Sequence, residues 1–308
     1  MSTQLATLAL DAGQTGIRSL LLTEGDRIEA SFAGLRTDLE LFPQLSEVIQ
    51  SQIALSQGPV QLAIGMTGLT HSESKPAELL QSLDSKVISV HLAHDSITGF
   101  LGSMGLNHGT VTAVGTGVVT LAVGKTEMAR VDGWGNLIGD AGSAYWIGRA
   151  GLEAAMRSYD GRIPSSKLET LLESFSHPEE AYIELQTNDN RVSVIASFAK
   201  AVVDLAQTDS TAKEIVELAG AELARSAVTA ARRVGLLEQD APRFSWAGNV
   251  IKSELLKNSF MKSISNEVKN ASFQEPIAEP IDGVVLLPNL PEDSPLRAVV
   301  HTAERIKA

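Results

Sequence analysis

The segment that decides the fold reads Leu5-Ala6-Thr7-Leu8-Ala9-Leu10-Asp11-Ala12-Gly13-Gln14-Thr15-Gly16-Ile17-Arg18-Ser19-Leu20-Leu21-Leu22-Thr23. The apolar run Leu5 to Leu10 meets a glycine-containing turn and then a second strand-like run, Ile17 to Thr23, a pattern that predicts a β-hairpin. A third short strand, Arg27 to Phe32, extends it into a meander. The same order returns further along the chain: a strand at Gly109 to Val114, the turn Gly115-Thr116-Gly117, a strand at Val118 to Val123 and another at Met128 to Gly133. An internal duplication is the simplest account of that repetition.

Between the two meanders the spacing predicts a helix over 39–55, a strand at Val60 to Met66, a helix near Pro76 to Leu83, a strand at Lys86 to Leu92, and a helix from Asp95 to about Met104. The alternation of strands and helices points to α/β architecture with mixed sheets covered by helices. Beyond the second meander the chain reads as mostly helical, over 144–158, 165–174, 192–207 and 210–234, with strands at Phe244 to Ala247 and Gly283 to Leu287. Two domains are expected, since 308 residues exceed one ordinary core. The boundary falls between residues 97 and 98, giving domains 1–97 and 98–293, with a C-terminal helix over 294–308 packing back on the first.

Bulk composition narrows the function classes. Hydrophobic residues make up 44% and charged residues 20%, the balance of a globular chain with a buried core. A net charge of -12 without a Lys/Arg cluster repels a phosphate backbone, so nucleic acid is not an expected partner. No apolar run approaches the roughly 20 residues of a membrane span, and Met-Ser-Thr-Gln before a strand is not a leader peptide, so a cytoplasmic protein is expected. The absence of cysteine excludes disulfides, thiolate zinc sites, cysteine nucleophiles and cysteine-ligated iron–sulfur clusters.

An acidic protein can still hold an anionic nucleotide through backbone N–H groups and a hard cation. Gly13, Gln14, Thr15 and Gly16 in the first turn, and Gly115, Thr116 and Gly117 in the second, suit that task. Glycine lets the backbone approach a phosphate, and threonine adds a hydroxyl donor. Asp11 beside the first turn would repel phosphate unless Mg2+ lies between them, which makes it the metal candidate. Asp95 stands where a strand gives way to a helix. There it is either a helix cap or a base that accepts the proton of an attacking hydroxyl. His94 next to it is expected to face the other way, because successive residues of an extended segment alternate. The stretch Asp132 to Arg149 holds five glycines and two of the three tryptophans. Within it Asp140 can accept hydrogen bonds from sugar hydroxyls, and Asp140 or Ser143 can cap the helix that follows.

With these residues quoted, the chain resembles the N-acetylglucosamine kinase family within the BadF/BadG/BcrA/BcrD-type ATPases of the actin and hexokinase superfamily. The stretch Gly133-Trp134-Gly135 through Gly139-Asp140-Ala141-Gly142-Ser143-Ala144-Tyr145-Trp146-Ile147 is similar to the family's GGWG and GDEGSAYWI signature. Asp11 to Thr15 resembles its first phosphate motif, Gly115 to Gly117 its second, and Ala247-Gly248-Asn249-Val250 the glycine pair that borders adenosine.

The resemblance implies an actin-like ATPase fold of two ribonuclease H-like domains around a nucleotide cleft. It also implies Mg-ATP as cofactor and phosphorylation of the 6-hydroxyl of an amino sugar, N-acetylglucosamine or glucosamine. Asp95 would be the base; Asp95, Thr116, Gly117, Trp134, Asp140 and Ala144 would touch the sugar; Gly248 and Asn249 would border the nucleotide. Other acceptors within the same reading are N-acetylmuramic or anhydromuramic acid or another hexose; a different reading is a sensor without turnover. A homodimer is compatible with either. The chain departs from the family pattern at Gln14, His94, Val118, Ala141 and Asn249, and Thr37 or Asp38 stands where the family has a sugar-binding asparagine.

Overall fold

The computed structural model describes residues 5–13, 16–36, 39–69 and 74–305. Gln14, Thr15, Thr37 and Asp38 lie outside the described residues. The chain divides into two compact units. One comprises residues 1–108, 125–127 and 276–308; the other comprises 109–124 and 128–275. The boundary expected at 97/98 thus lies at 108/109, because the helix that begins at Asp95 packs within the first unit.

The first unit is built on strands β1 (Ala6–Ala12), β2 (Ile17–Leu22) and β3 (Arg27–Phe32), helix α1 (Leu41–Ile53), strand β4 (Val60–Met66), helix α2 (Pro76–Ser82), strand β5 (Val87–His94) and helix α3 (Asp95–Met104). The central strand β4 is apolar and buried on both faces, whereas the outer strand β3 alternates exposed and half-buried positions as a one-sided strand does. Leu45, Val48, Ile49 and Ile53 of α1 pack with Leu8, Leu10, Leu62 and Ile64 of the sheet. Burying each such side chain contributes about 1.5–3 kcal/mol.

The second unit repeats the plan with strands β6 (Gly109–Val114), β7 (Val118–Val123) and β8 (Met128–Val131). Helices α4 (Ala144–Tyr159), α5 (Ala181–Thr187), α6 (Arg191–Leu205) and α7 (Ser210–Arg233) follow. Strand β9 (Arg243–Ala247), helix α8 (Glu254–Glu267) and strand β10 (Ser272–Phe273) complete the unit. Its sheet order, β8-β7-β6-β9-β10, matches the β3-β2-β1-β4-β5 order of the first unit. Helix α4 approaches α6 closely because Gly148 and Gly151 face it; a Cβ on Gly148 would stand 2.0 Å from the Ile195 carbonyl oxygen.

Two expectations fail near the C-terminus. The apolar run expected as a strand at 283–287 begins as helix α9 (Pro280–Val285). Pro280 occupies the first turn, and the Glu279 N–H donates to Asp282 Oδ2 at 3.3 Å, which caps the helix. Gly102 of α3 and Gly283 of α9 lie where these helices meet: a Cβ on Gly283 would be 2.1 Å from the Thr98 carbonyl oxygen. The helix expected over 294–308 is instead a 3-10 turn, Pro295–Val299, and a strand, β11 (His301–Glu304), antiparallel to β5. The β-branched Val300 and Thr302 favour extended chain, and β5 offers an open edge. Arg305 closes the end by donating to the carbonyls of Val87 at 2.8 Å and Leu83 at 2.9 Å. Among the described residues no helix is long and apolar enough to cross a membrane.

Candidate functional site

The candidate residues fall into two groups, one carried by each unit. In the first unit β1, β4 and β5 run parallel, with Ala12 beside Met66 and Met66 beside His94, so their C-terminal ends share one edge. Asp11, Thr67 and Asp95 stand at that edge, where parallel strands present ligand-binding groups. Gly13 and Gly16 close the first turn through the Gly13 N–H donating to the Gly16 carbonyl at 3.0 Å.

Asp95 opens α3, and the cap is His94 rather than Asp95. His94 does not face away. Its Nδ1 lies 2.8 Å from Asp95 Oδ1, because the chain turns from strand to helix between the two residues and breaks the alternation. Nδ1 also stands 3.2 Å from the Ser96 nitrogen: carrying a proton it donates to Asp95, and without one it accepts from the Ser96 N–H as the helix cap. Burial raises the Asp95 pKa, but hydrogen bonds from His94, the Ser96 N–H and the Thr67 hydroxyl more than cancel this, leaving the carboxyl below its usual range. Asp95 is therefore an oriented, ionised carboxylate.

Asp11 has the opposite environment. Burial and the charge of Asp95 push its pKa up to about 6, with Arg18 opposing and Glu279 adding to the rise. A carboxylate held unfavourably by a second carboxylate is a ready ligand for a hard cation. Among the described residues no cluster of three or more His, Asp or Glu could hold a metal alone. The arrangement fits Mg2+, which characteristically takes one or two carboxylates and completes its shell with phosphate oxygens and water.

In the second unit the Gly115–Gly117 turn joins β6 to β7. The Gly115 N–H donates to the Gly117 carbonyl at 2.9 Å. The first turn of α4 is tied to it: Ala144 N–H donates to Gly115 O at 3.0 Å and Tyr145 N–H to Thr116 O at 3.1 Å. The turn's carbonyls thus point at the helix, while the Thr116 and Gly117 N–H groups make no hydrogen bond to a described residue. Val118, which replaces a polar residue of the resembling pattern, sends its side chain into the unit's apolar core. Its backbone N–H donates to Asp140.

Asp140 is 8% exposed and adopts φ +60°, in the left-handed region. Burial raises its pKa, partly offset by the Val118 and Gly135 N–H donors, and the charge of Asp132 adds to the rise. Its carboxylate rests on Gly117, where a Cβ would stand 2.5 Å from Asp140 Oδ2. Trp134 is 62% exposed, with the Arg130 guanidinium 5.2 Å from its ring centroid.

Past β9, Gly248 adopts φ +94°, and a Cβ there would stand 2.3 Å from the Val114 carbonyl oxygen, so only glycine fits. It leads to a cavity of about 530 Å³ whose lining includes Asn249, Lys252, Ser253, Lys200, Asp204 and Ala144. Ala144, expected at the sugar, is 6% exposed and is among the residues that line this cavity. The structure thus brings Asp11 and Asp95 together, Gly117 with Asp140, and Ala144 with Asn249. Sequence reasoning gave no role to Asp132, Thr67 or the cavity lysines. Asp132, an acid where the resembling signature has its first glycine, was the available signal.

The model of the BadF/BadG/BcrA/BcrD ATPase family matches residues 41–285. An N-acetyl-D-glucosamine kinase of Dictyostelium discoideum is 24% identical over 236 residues, 73% of this chain and 74% of that protein. An N-acetylmuramic acid/N-acetylglucosamine kinase of Clostridium acetobutylicum is 33% identical over 113 residues, 35% of this chain and 36% of that protein. A solved structure described as a candidate N-acetylglucosamine kinase of Chromobacterium violaceum superposes with a TM-score of 0.73 at 21% identity, over 92% of this chain and 98% of that one. The fold is therefore that of the actin-like sugar kinases, with two ribonuclease H-like units.

Proposed function

The chain belongs to the BadF/BadG/BcrA/BcrD ATPase family, and from that premise we propose that it is an ATP-dependent kinase phosphorylating the 6-hydroxyl of an amino sugar, N-acetylglucosamine or glucosamine. The observation that supports this most is the carboxylate pair of the first unit, one member kept ionised and oriented, the other destabilised as an anion. A sensor needs neither a base nor a metal ligand.

Asp95 accepts the proton of the sugar hydroxyl as that oxygen forms its bond to the γ-phosphorus of ATP and the bond to the ADP oxygen breaks. The His94, Ser96 and Thr67 donors keep the carboxylate aimed while it is still an anion. Asp11 would hold Mg2+ jointly with the phosphates, and the cation, when bound, neutralises phosphate charge and orients the γ-phosphoryl group. The Thr116 and Gly117 N–H groups supply donors for phosphate oxygens. Asp140 accepts from sugar hydroxyls, Trp134 offers its ring to the apolar face of the sugar, and the cavity beside Asn249 receives the adenosine.

Transferring the names of the relatives to this chain defines the test. Coupled ATP consumption is measured with glucosamine, N-acetylglucosamine, N-acetylmannosamine, N-acetylmuramic acid and glucose. An amino sugar should give the highest kcat/KM, with 6-phosphorylated product; ATP hydrolysis indifferent to every sugar would overturn the proposal. The muramic acid belongs in the panel because the Clostridium acetobutylicum relative is named for it.

Gly117→Ala gives a sharper check on the sugar side. The new methyl would displace the Asp140 carboxylate from its seat. The KM for the sugar should rise about tenfold or more, the scale of losing one charged hydrogen bond. An unchanged KM would remove Asp140 from the sugar site.

A further inference from the structure

Asp132 adopts φ +61°, a backbone conformation that glycine occupies without strain and other residues rarely do. It occupies the place of the first glycine in the signature that the stretch resembles. An aspartate tolerates this region best when its short side chain bonds the neighbouring backbone, and here it does so extensively. Asp132 Oδ1 accepts from the Gly133 N–H at 2.8 Å and from the Asp140 N–H at 2.8 Å, while Oδ2 accepts from the Ala141 N–H at 3.2 Å. One carboxylate thus grips both ends of the 133–141 loop.

We propose that Asp132 is a positioning residue for sugar binding: its carboxylate closes the 133–141 loop and thereby holds Asp140 and Trp134 in the geometry that receives the acceptor. The inference rests on the reading of Asp140 as a sugar ligand. The surrounding chain is shaped for the clip. A Cβ on Gly139 would stand 2.6 Å from Asp132 Oδ1 and 2.8 Å from Trp134 Cβ, so the loop shuts only around glycine at that position. On the outer side the Arg130 guanidinium donates to the Gly133 carbonyl and stacks on Trp134. Asp140, once placed, accepts from the Gly135 N–H at 3.3 Å, so each carboxylate bonds backbone that the other positions. Leu137 and Ile138 at the loop tip are 89% and 85% exposed, so apolar burial does not hold this segment in shape.

Two departures from the resembling signature meet in one of these bonds. Asp132 stands in place of a glycine, and Ala141, whose N–H it receives, stands in place of a glutamate. The Asp132 carboxylate faces inward onto backbone donors.

The test compares Asp132→Gly, Asp132→Asn and Asp140→Asn in the full chain. Glycine accepts φ +61° freely, so Asp132→Gly removes the carboxylate without straining the backbone. It should raise the sugar KM about 10- to 100-fold, the loss expected for several charge-assisted hydrogen bonds, while the KM for ATP stays within about twofold. Asp132→Asn keeps an oxygen for the Gly133 and Asp140 donors and should recover most of that loss. Amide exchange across residues 133–141 in the sugar-free protein should quicken at least about tenfold in the glycine variant and little in the asparagine variant. Normal sugar KM in Asp132→Gly alongside a defective Asp140→Asn overturns the positioning role. Normal sugar KM in both overturns the sugar-ligand reading of Asp140 and this role with it, and the amide exchange then reports whether the clip exists at all.

Discussion

Asp95→Asn lowers kcat about 10²- to 10⁴-fold, the range for removing a general base, while the dissociation constant for Mg-ATP changes less than about threefold. The asparagine preserves shape and the capability to hydrogen bond but cannot take the hydroxyl proton. The carboxylate it replaces is kept ionised by His94, the Ser96 N–H and the Thr67 hydroxyl against the cost of burial. The asparagine oxygen still accepts from part of this donor set, so the variant should fold; circular dichroism and calorimetric ATP binding establish that before rates are compared. Turnover within tenfold of the parent would mean that another group accepts the proton, and the assignment of Asp95 would fall.

Asp11→Asn separates activity from stability in opposite directions. Turnover with Mg-ATP should drop at least about 100-fold, since the carboxylate proposed to carry the cation is gone. The metal-free protein should nevertheless be stabilised at neutral pH. The carboxyl's pKa in the fold is about 6, raised from 3.8, so the fold binds that proton more tightly than the unfolded chain does. Its contribution to stability is complete below pH 3.8 and is lost as pH rises through about 6. Above that, the ionised Asp11 is held against burial and against Asp95, a cost of about 1–3 kcal/mol after allowing for solvent and Arg18. Asparagine removes the cost. Thermal melts in chelator should therefore show the variant above the parent at pH 8 and converging on it towards pH 4. A gap that is constant with pH would show that Asp11 is not the raised group.

Much of the fold was legible because it depends on local pattern. The apolar runs on either side of Gly13 and Gly115 mark paired strands, and their recurrence predicted two units of one plan, which the matched sheet orders bear out. The run at 283–287 misled because its apolar, β-branched composition suits a strand; Pro280, the Asp282 cap and the glycine-to-glycine approach of α3 override composition there. The strand at His301–Glu304 also depends on the edge that β5 offers, a property of the sheet that those four residues do not display. At the site, Asp11, Asp95 and Asp140 could be singled out from residue type and position. The contact of His94 with Asp95 could not, since it arises from the change of direction where strand becomes helix. Asp132 left one trace in the letters, an acid where the resembling signature has a glycine, but the left-handed backbone and the bonds that its carboxylate accepts appear only in the fold.

The first unit is discontinuous along the chain, and synthesis gives that a consequence in time. While residues 109–275 emerge from a ribosome, α3 lacks the helix that covers Gly102, and β5 has one row of backbone groups unpaired. The second unit has its whole sequence available first and can finish folding as a block. Until α9 and β11 arrive, the nascent first unit presents an open strand edge, the feature most prone to pairing with a neighbouring chain. Pro280–Val285 and His301–Arg305 then cover α3 and replace the open edge of β5 with that of a shorter strand, β11, so a newly made molecule exposes less unpaired backbone once they have arrived.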